Sequence, residues 1–182
     1  MSIPLHPDID RVLISSQQIQ DRVVELAAQI DRDYADAPQL LLVGVLKGAF
    51  IFLADLARAL TIPHAVDFMA VSSYGMTASS GAVRIILDLR APIDNKHVLL
   101  VEDIVDTGST LNYLQAVLSS RHPASLRTCA LSRKERFDVQ ALPVDYLGFT
   151  IPDVWVVGYG LDYADRHRTL PYIGALKPEV YR

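Results

Sequence analysis

With 182 residues, 51% hydrophobic and 21% charged, the chain has the length and composition of one globular domain with a real core, and we expect residues 1–182 to form a single domain. A net charge of −4 argues against a general nucleic-acid binder, and the single cysteine, Cys129, excludes an internal disulfide. No apolar stretch reaches the ~18 residues of a membrane span, and the start lacks the pattern of a signal peptide, so a soluble cytoplasmic protein without a membrane partner is expected.

Taken in chain order, Ser15-Ser16-Gln17-Gln18 reads as a capping box, and Ile19, Val23, Leu26, Ala27 and Ile30 follow at helical spacing. Leu40 to Leu46 is a short apolar run, read as a buried strand. Lys47-Gly48 is expected to open a second helix with Phe50, Leu53, Leu56, Ala57 and Leu60 inward. Ala65 to Ser72 reads as a strand, Ser73 to Gly81 as a mobile loop rich in Ser, Gly and Thr, and Val83 to Leu87 as a strand beyond it. Val98 to Val101 is the next strand and Ser109 to Ser119 the next helix. Leu126 to Leu131, Tyr146 to Phe149 and Val154 to Val157 are further short strands. Apolar strands alternating with helices indicate an α/β fold, a parallel twisted sheet flanked by helices. Ligands bind such sheets at the carboxyl ends of the strands, which is where Lys47-Gly48 and Glu102 to Thr110 fall.

The stretch VLLVEDIVDTGSTL, Val98 to Leu111, has two halves that look incompatible. Strand, loop and helix start offer backbone N–H groups to an anion. Gly108 permits close approach of the backbone, and Thr107, Ser109 and Thr110 add hydroxyl donors. No Lys follows the glycine, so a terminal phosphate monoester suits the loop better than a nucleoside triphosphate. Yet Glu102, Asp103 and Asp106 add three carboxylates. Helix capping by Asp106 or Thr107, with Gly108 in the first turn, accounts for one of them. It does not account for Glu102 and Asp103 at the end of an apolar strand, where bare carboxylates are unfavourable. A ribose diol and a Mg²⁺ ion would satisfy both. The ligand should therefore carry a phosphate, a ribose and a metal-bound group.

This stretch resembles the phosphoribosyl-pyrophosphate (PRPP) motif of the type I phosphoribosyltransferases. Leu46 to Phe50, Ser72 to Gly75, Val156 to Tyr163 and Leu170 to Gly174 are similar to the hypoxanthine-guanine phosphoribosyltransferases, and the similarity runs in order from about Asp10 to the C-terminus. The resemblance implies the type I phosphoribosyltransferase fold, with a small hood subdomain formed by the N-terminal and C-terminal segments. It also implies transfer of the 5-phosphoribosyl group from PRPP to a 6-oxopurine. The products would be IMP or GMP and pyrophosphate, made in purine salvage by a homo-oligomer, a dimer or tetramer. A xanthine-preferring relative and a nucleotide-binding regulator of the same fold are the alternatives.

By the same resemblance, Glu102 and Asp103 hold the ribose hydroxyls and help place Mg²⁺, with Asp162 a further metal ligand. Asp106 meets the purine N7 as the catalytic acid/base. Thr107, Gly108, Ser109 and Thr110 cradle the 5′-phosphate. Lys47, Gly48 and Arg168 bind pyrophosphate, with the Leu46–Lys47 peptide in the cis form. Lys134 donates to the purine 6-oxo group, Trp155 stacks on the ring and Val156 meets its edge. Ser73 and Tyr74 belong to a lid. Plainer readings stand beside these: Lys134 as one charge in the exposed run Arg133 to Arg136, Trp155 as core, Asp162 and Arg168 as a solvated charged run, and Lys47 as a surface lysine. A lysine at a helix start lies at the unfavourable end of the dipole, and an anionic ligand would resolve that conflict. Trp155 departs from the Phe or Tyr usual in the family but keeps the π-face. Leu87 stands where bacterial relatives often carry Lys, and no functional reading attaches to it.

Overall fold

The computed structural model describes residues 5–73 and 83–181. The chain begins with β1 (Ile9–Ile14), α1 (Ser16–Asp33), β2 (Leu40–Leu46), α2 (Phe50–Ala59) and β3 (His64–Ser73). Next come β4 (Val83–Leu87), β5 (His97–Val105), α3 (Ser109–Ser119) and β6 (Ser125–Lys134). The last part holds α4 (Phe137–Gln140), β7 (Tyr146–Ile151), β8 (Val156–Val157), β9 (Ile173–Leu176) and α5 (Pro178–Tyr181).

α1 begins as its sequence dictates. The Gln18 N–H donates to Ser15 Oγ at 3.3 Å, and the Ser15 N–H donates to Gln18 Oε1 at 2.8 Å. The stripe Ile19, Val23, Leu26, Ala27 and Ile30 is buried throughout. α2 corrects the expected phase. It starts at Phe50, not at Lys47, and buries Phe52, Leu53 and Leu56, while Phe50 is 40% exposed. Ala49, Phe52, Leu53, Leu56 and Leu60 form its inner stripe at spacings of three and four.

The main sheet has the order β4-β3-β2-β5-β6-β7. β2, β3, β5, β6 and β7 are parallel, but β4 runs antiparallel to β3, so the sheet is mixed at that edge. Alternation along the central strands separates two cores. Leu40, Leu42, Leu99 and Val101 pack with α1 and α2, whereas Val43, Val45, Val98 and Leu100 pack with Leu111, Leu114 and Leu118 of α3. Truncating any of the fully buried leucines among these to Ala is expected to destabilise the fold by ~2–5 kcal/mol.

β1 and β9 lie outside the expected elements. They pair with each other across the length of the chain, Val12 opposite Gly174, and β8 joins them in a three-stranded antiparallel sheet ordered β1-β9-β8. These strands are short, and their partners are remote, so no local pattern announces them. Among the described residues no helix is long and apolar enough to cross a membrane.

Candidate active site

β5 continues four residues past its expected end at Val101. It pairs with β2 only as far as Gly44–Val101, but with β6 as far as Val105–Arg133. Residues Glu102 to Val105 thus keep β6 on one side and meet the turn after β2 on the other. Glu102 is 5% exposed, and among the described residues its carboxylate has no hydrogen-bond partner. Burial holds its pKa well above the ordinary carboxylate range, and the neighbouring Asp103 charge pushes the same way. Burial also raises Asp103, to about 6, against the lowering effects of backbone N–H donors and of Arg168. Asp103 Oδ1 accepts the Ile104 N–H at 2.8 Å, and Ser132 Oγ donates to the Asp103 carbonyl at 3.0 Å. A Cβ on Gly48 would stand 1.7 Å from Asp103 Oδ2, so only glycine lets the turn come this close. The adjoining Leu46–Lys47 peptide is cis.

Beyond β5 the loop turns into α3 through Gly108, whose φ of 76° is readily adopted only by glycine. Gly108 itself is the N-cap, and no side chain caps this helix, which sets aside capping as the role of Asp106 or Thr107. The Ser109 N–H makes only a long 3.4 Å contact to Thr107 Oγ1, and the Thr107 hydroxyl donates to Ser109 Oγ at 3.2 Å. The first turn of α3 thus presents N–H groups and hydroxyls at a helix N-terminus without a capping carboxylate. A cavity of about 260 Å³ lies here, lined by Gly48, Glu102, Asp103, Asp106, Thr107, Gly108 and Thr110 among others.

A second cavity of about 290 Å³ shares Gly48, Asp103, Ile104 and Asp106 with the first. Lys47, Lys134, Trp155, Val156, Asp162 and Arg168 line it. Lys134 is the last residue of β6, not part of a solvated run, and its side chain is 12% exposed. Its Nζ lies 3.1 Å from both Asp106 Oδ1 and Asp153 Oδ1. Trp155 is 52% exposed, which excludes the core reading, and its indole meets Tyr163 edge-on at 5.7 Å. Arg168 donates to the Gly160 carbonyl at 2.8 Å and pairs with Asp162 at 2.7 Å and Asp165 at 3.0 Å. Asp165 also accepts from Lys47 Nζ at 2.8 Å, and these two cations hold its carboxyl below the ordinary range.

Residues 13–164 match the family model of the phosphoribosyl transferase domain. The hypoxanthine-guanine phosphoribosyltransferase of Dictyostelium discoideum is 48% identical, over 94% of this chain and 97% of its own. That of Mycobacterium avium is 52% identical, over 98% and 91%. The chain belongs to the hypoxanthine-guanine phosphoribosyltransferase family. The solved structure of Trypanosoma cruzi hypoxanthine phosphoribosyltransferase in complex with the product IMP is 44% identical, with a TM-score of 0.90 over 98% of this chain and all of that one. The mixed sheet and its flanking helices are the type I phosphoribosyltransferase fold.

In this phosphoribosyltransferase, two site carboxylates escaped the reading of the sequence. Asp153 and Asp165 look like surface charges, and nothing in their local pattern shows that they bridge to Lys134, Lys47 and Arg168. Separations of 118 residues, as between Lys47 and Asp165, are visible only in the fold. Of the expected lid, Ser73 ends β3, while Tyr74 and the rest of the loop to residue 82 lie outside the described residues. Among the described residues, Glu102, Asp103 and Asp162 do not each bring an oxygen within 4.8 Å of the others, and Asp162 is engaged by Arg168 and by the Asp165 N–H. Their hard oxygen donors nevertheless fit Mg²⁺, which keeps several waters and is bound by one or two carboxylates together with substrate phosphates.

Proposed function

We propose that this protein transfers the 5-phosphoribosyl group from PRPP to hypoxanthine, guanine or both, giving IMP or GMP and pyrophosphate in purine salvage. The observation that carries the reading is the pair of joined cavities: the carboxylates Glu102 and Asp103, neither in an ion pair among the described residues, and an uncapped helix start on one side, and three cations and an exposed indole on the other.

The 5′-phosphate rests on Thr107 to Thr110, where the α3 dipole and hydroxyls favour an anion. Glu102 and Asp103 accept the ribose hydroxyls. Mg²⁺ placed by Glu102 and Asp103 on the ribose side, and Mg²⁺ held by Asp162 on the pyrophosphate side, each with substrate oxygens completing its shell, would neutralise the charge of the leaving group. Lys47 and Arg168 face the same leaving group. Lys134 and Asp106 lie 3.1 Å apart, which suits two adjacent groups on one purine edge. O6 and N7 share such an edge, so Lys134 donates to O6 while Asp106 handles the N7 proton. N9 then attacks C1′ as pyrophosphate departs, with preorganised charge on both sides of the transition state. Trp155 supplies the stacking face and Val156 the backbone edge.

We further propose a homo-oligomer in the cytoplasm. Ile86 and Leu87 stand exposed on the edge strand β4, as residues of a subunit contact would. This also gives Leu87 a place without a catalytic role. Incubation with PRPP, Mg²⁺ and each purine in turn, followed by detection of the monophosphate, tests the function. IMP or GMP is expected, XMP alone would indicate the xanthine-preferring reading, and no product with any purine would overturn the proposal.

A further inference from the structure

Away from the two cavities, the structure gathers His6, Asp8 and His167, which the phosphoribosyl transfer does not use. His6 and Asp8 lead into β1, and His167 lies in the segment between β8 and β9. One ligand atom from each lies within 4.8 Å of the other two. His167 Nε2 is 3.1 Å from Asp8 Oδ2, and His6 Nδ1 is 3.9 Å from the same oxygen. The two imidazoles meet nearly edge to face, with centroids 4.7 Å apart.

An ion pair with edge-to-face packing is the plainer account, but it leaves one atom unexplained. The His167 side chain is 7% exposed, and its Nε2 is buried without a hydrogen bond. At 3.1 Å the distance to Asp8 is short enough, so it is the direction that fails: the carboxylate oxygen stands to one side of the ring nitrogen's axis. Buried ring nitrogens ordinarily have a partner. Two ligands of a shared ion meet in this off-axis manner, because each atom points at the ion and not at its neighbour.

We propose that His6, Asp8 and His167 form a binding site for a divalent transition-metal ion, with Zn²⁺ the best fit. Two imidazoles and one carboxylate suit zinc, copper or nickel far better than Mg²⁺. Bonds of ~2.0–2.2 Å place the ligands of a tetrahedral zinc about 3.4 Å apart, between the 3.1 and 3.9 Å that separate Asp8 Oδ2 from the two imidazole nitrogens. His6 Nδ1 now accepts the Asp8 N–H at 3.2 Å, and the metal takes the place of that long bond. Three protein ligands leave the fourth position to water. His167 directly precedes Arg168, so the ion fastens the segment carrying Asp162 and Arg168 to the residues leading into β1. The site stands whether or not Arg168 binds pyrophosphate.

Cobalt(II) titration of the full chain tests the site, because cobalt occupies zinc sites and absorbs visible light. Excess Mg²⁺ in the buffer fills the oxygen-only carboxylate site. A visible band saturating at one equivalent per chain is expected, bleached by added Zn²⁺. His6→Ala and Asp8→Asn should each weaken cobalt binding at least ~10-fold, since even the outer partners of metal ligands are worth 10–100-fold in affinity. Neither residue touches the active site, and His6 is half exposed, so both variants are expected to fold. Zn²⁺ should raise the Tm of the wild type and not of His6→Ala. No band at stoichiometric cobalt, or equal binding by wild type and both variants, would overturn the proposal.

Discussion

Glu102 and Asp103 face Lys47, Lys134 and Arg168 across one pair of cavities, and the two groups are partnered differently. The carboxylates are enclosed by protein, and among the described residues neither makes an ion pair. Each cation already has a carboxylate: Asp165 for Lys47, Asp106 and Asp153 for Lys134, Asp162 and Asp165 for Arg168. The difference lies in solvation. Pairs such as Lys47–Asp165, exposed on both sides, are weak and exchange readily. Carboxylates enclosed without an ion pair are poorly compensated when charged, and a cation or hydroxyl donors from a ligand supply that compensation. One wall is thus set to take up positive charge, and on the opposite wall the exposed Lys47–Asp165 pair can exchange its carboxylate for the oxygens of an incoming anion.

Asp106 belongs to both walls, and replacing it gives the largest expected effect. Asp106→Asn keeps the shape and loses the base, so kcat should fall by ~10²- to 10⁴-fold, the usual worth of a positioned acid–base group. Because Gly108 and not Asp106 is the N-cap of α3, Tm should stay within a few degrees. PRPP affinity should change little, since the proposed phosphate cradle, Thr107 to Thr110, and the carboxylates proposed to hold the ribose, Glu102 and Asp103, remain. Steady-state kinetics with a PRPP binding titration check this. Near-normal kcat would remove the proton-transfer role, and a parallel collapse of PRPP affinity would make Asp106 a positioning residue.

The contact between walls can be broken at Gly48. In Gly48→Ala the new methyl would overlap Asp103 Oδ2, and either the turn or the carboxylate must move. Misplacement of about 1 Å can lower activity ~10²-fold, and a loss of that order in kcat/KM is expected. Unchanged kinetics would mean that the spacing of the two walls is not critical.

One wall was legible in the sequence and the other was only half so. Val98 to Leu111 places strand, carboxylates, glycine and helix in one contiguous run, and local chemistry there points to phosphate, ribose and metal. Even so, β5 runs past its expected end, because the apolar run stops at Val101 while the pairing with β6 continues to Val105. On the cation wall the expected residues line one cavity, but Asp153 and Asp165 do not stand out, since nothing local distinguishes a bridging Asp from a solvated one. The main sheet followed from apolar runs, and β1 and β9 did not, because their pairing spans nearly the whole chain.

Asp165 tests whether the cation wall is held by a carboxylate that a ligand displaces. Asp165→Asn frees Lys47 and Arg168 from that competitor, so PRPP and pyrophosphate should bind more tightly. Exposed ion pairs are worth ~0–1 kcal/mol each, so a gain of at most about fivefold per pair is expected, shrinking as salt is added. Binding titrations at low and high ionic strength measure it. Weaker binding in Asp165→Asn would instead make this carboxylate part of the ligand site.

The smallest expected effect concerns the carboxylate wall in chelator, with no substrate. The fold raises Asp103 from 3.8 to about 6, so the folded chain holds this proton more tightly than the unfolded one. Its contribution to stability is therefore full below about pH 4 and is lost as pH rises through about 6, where a buried carboxylate must ionise. Asn has no proton to lose. Asp103→Asn should match the wild type in Tm near pH 4 and exceed it by a few degrees near pH 8. Glu102 carries the same sign, and removing the Asp103 charge also relieves Glu102, so the two effects reinforce each other. Thermal melts across this range measure the difference. A Tm difference that is independent of pH, or that favours the wild type at high pH, would mean that Asp103 already has a partner in the free protein, and the contrast between the two walls would fail.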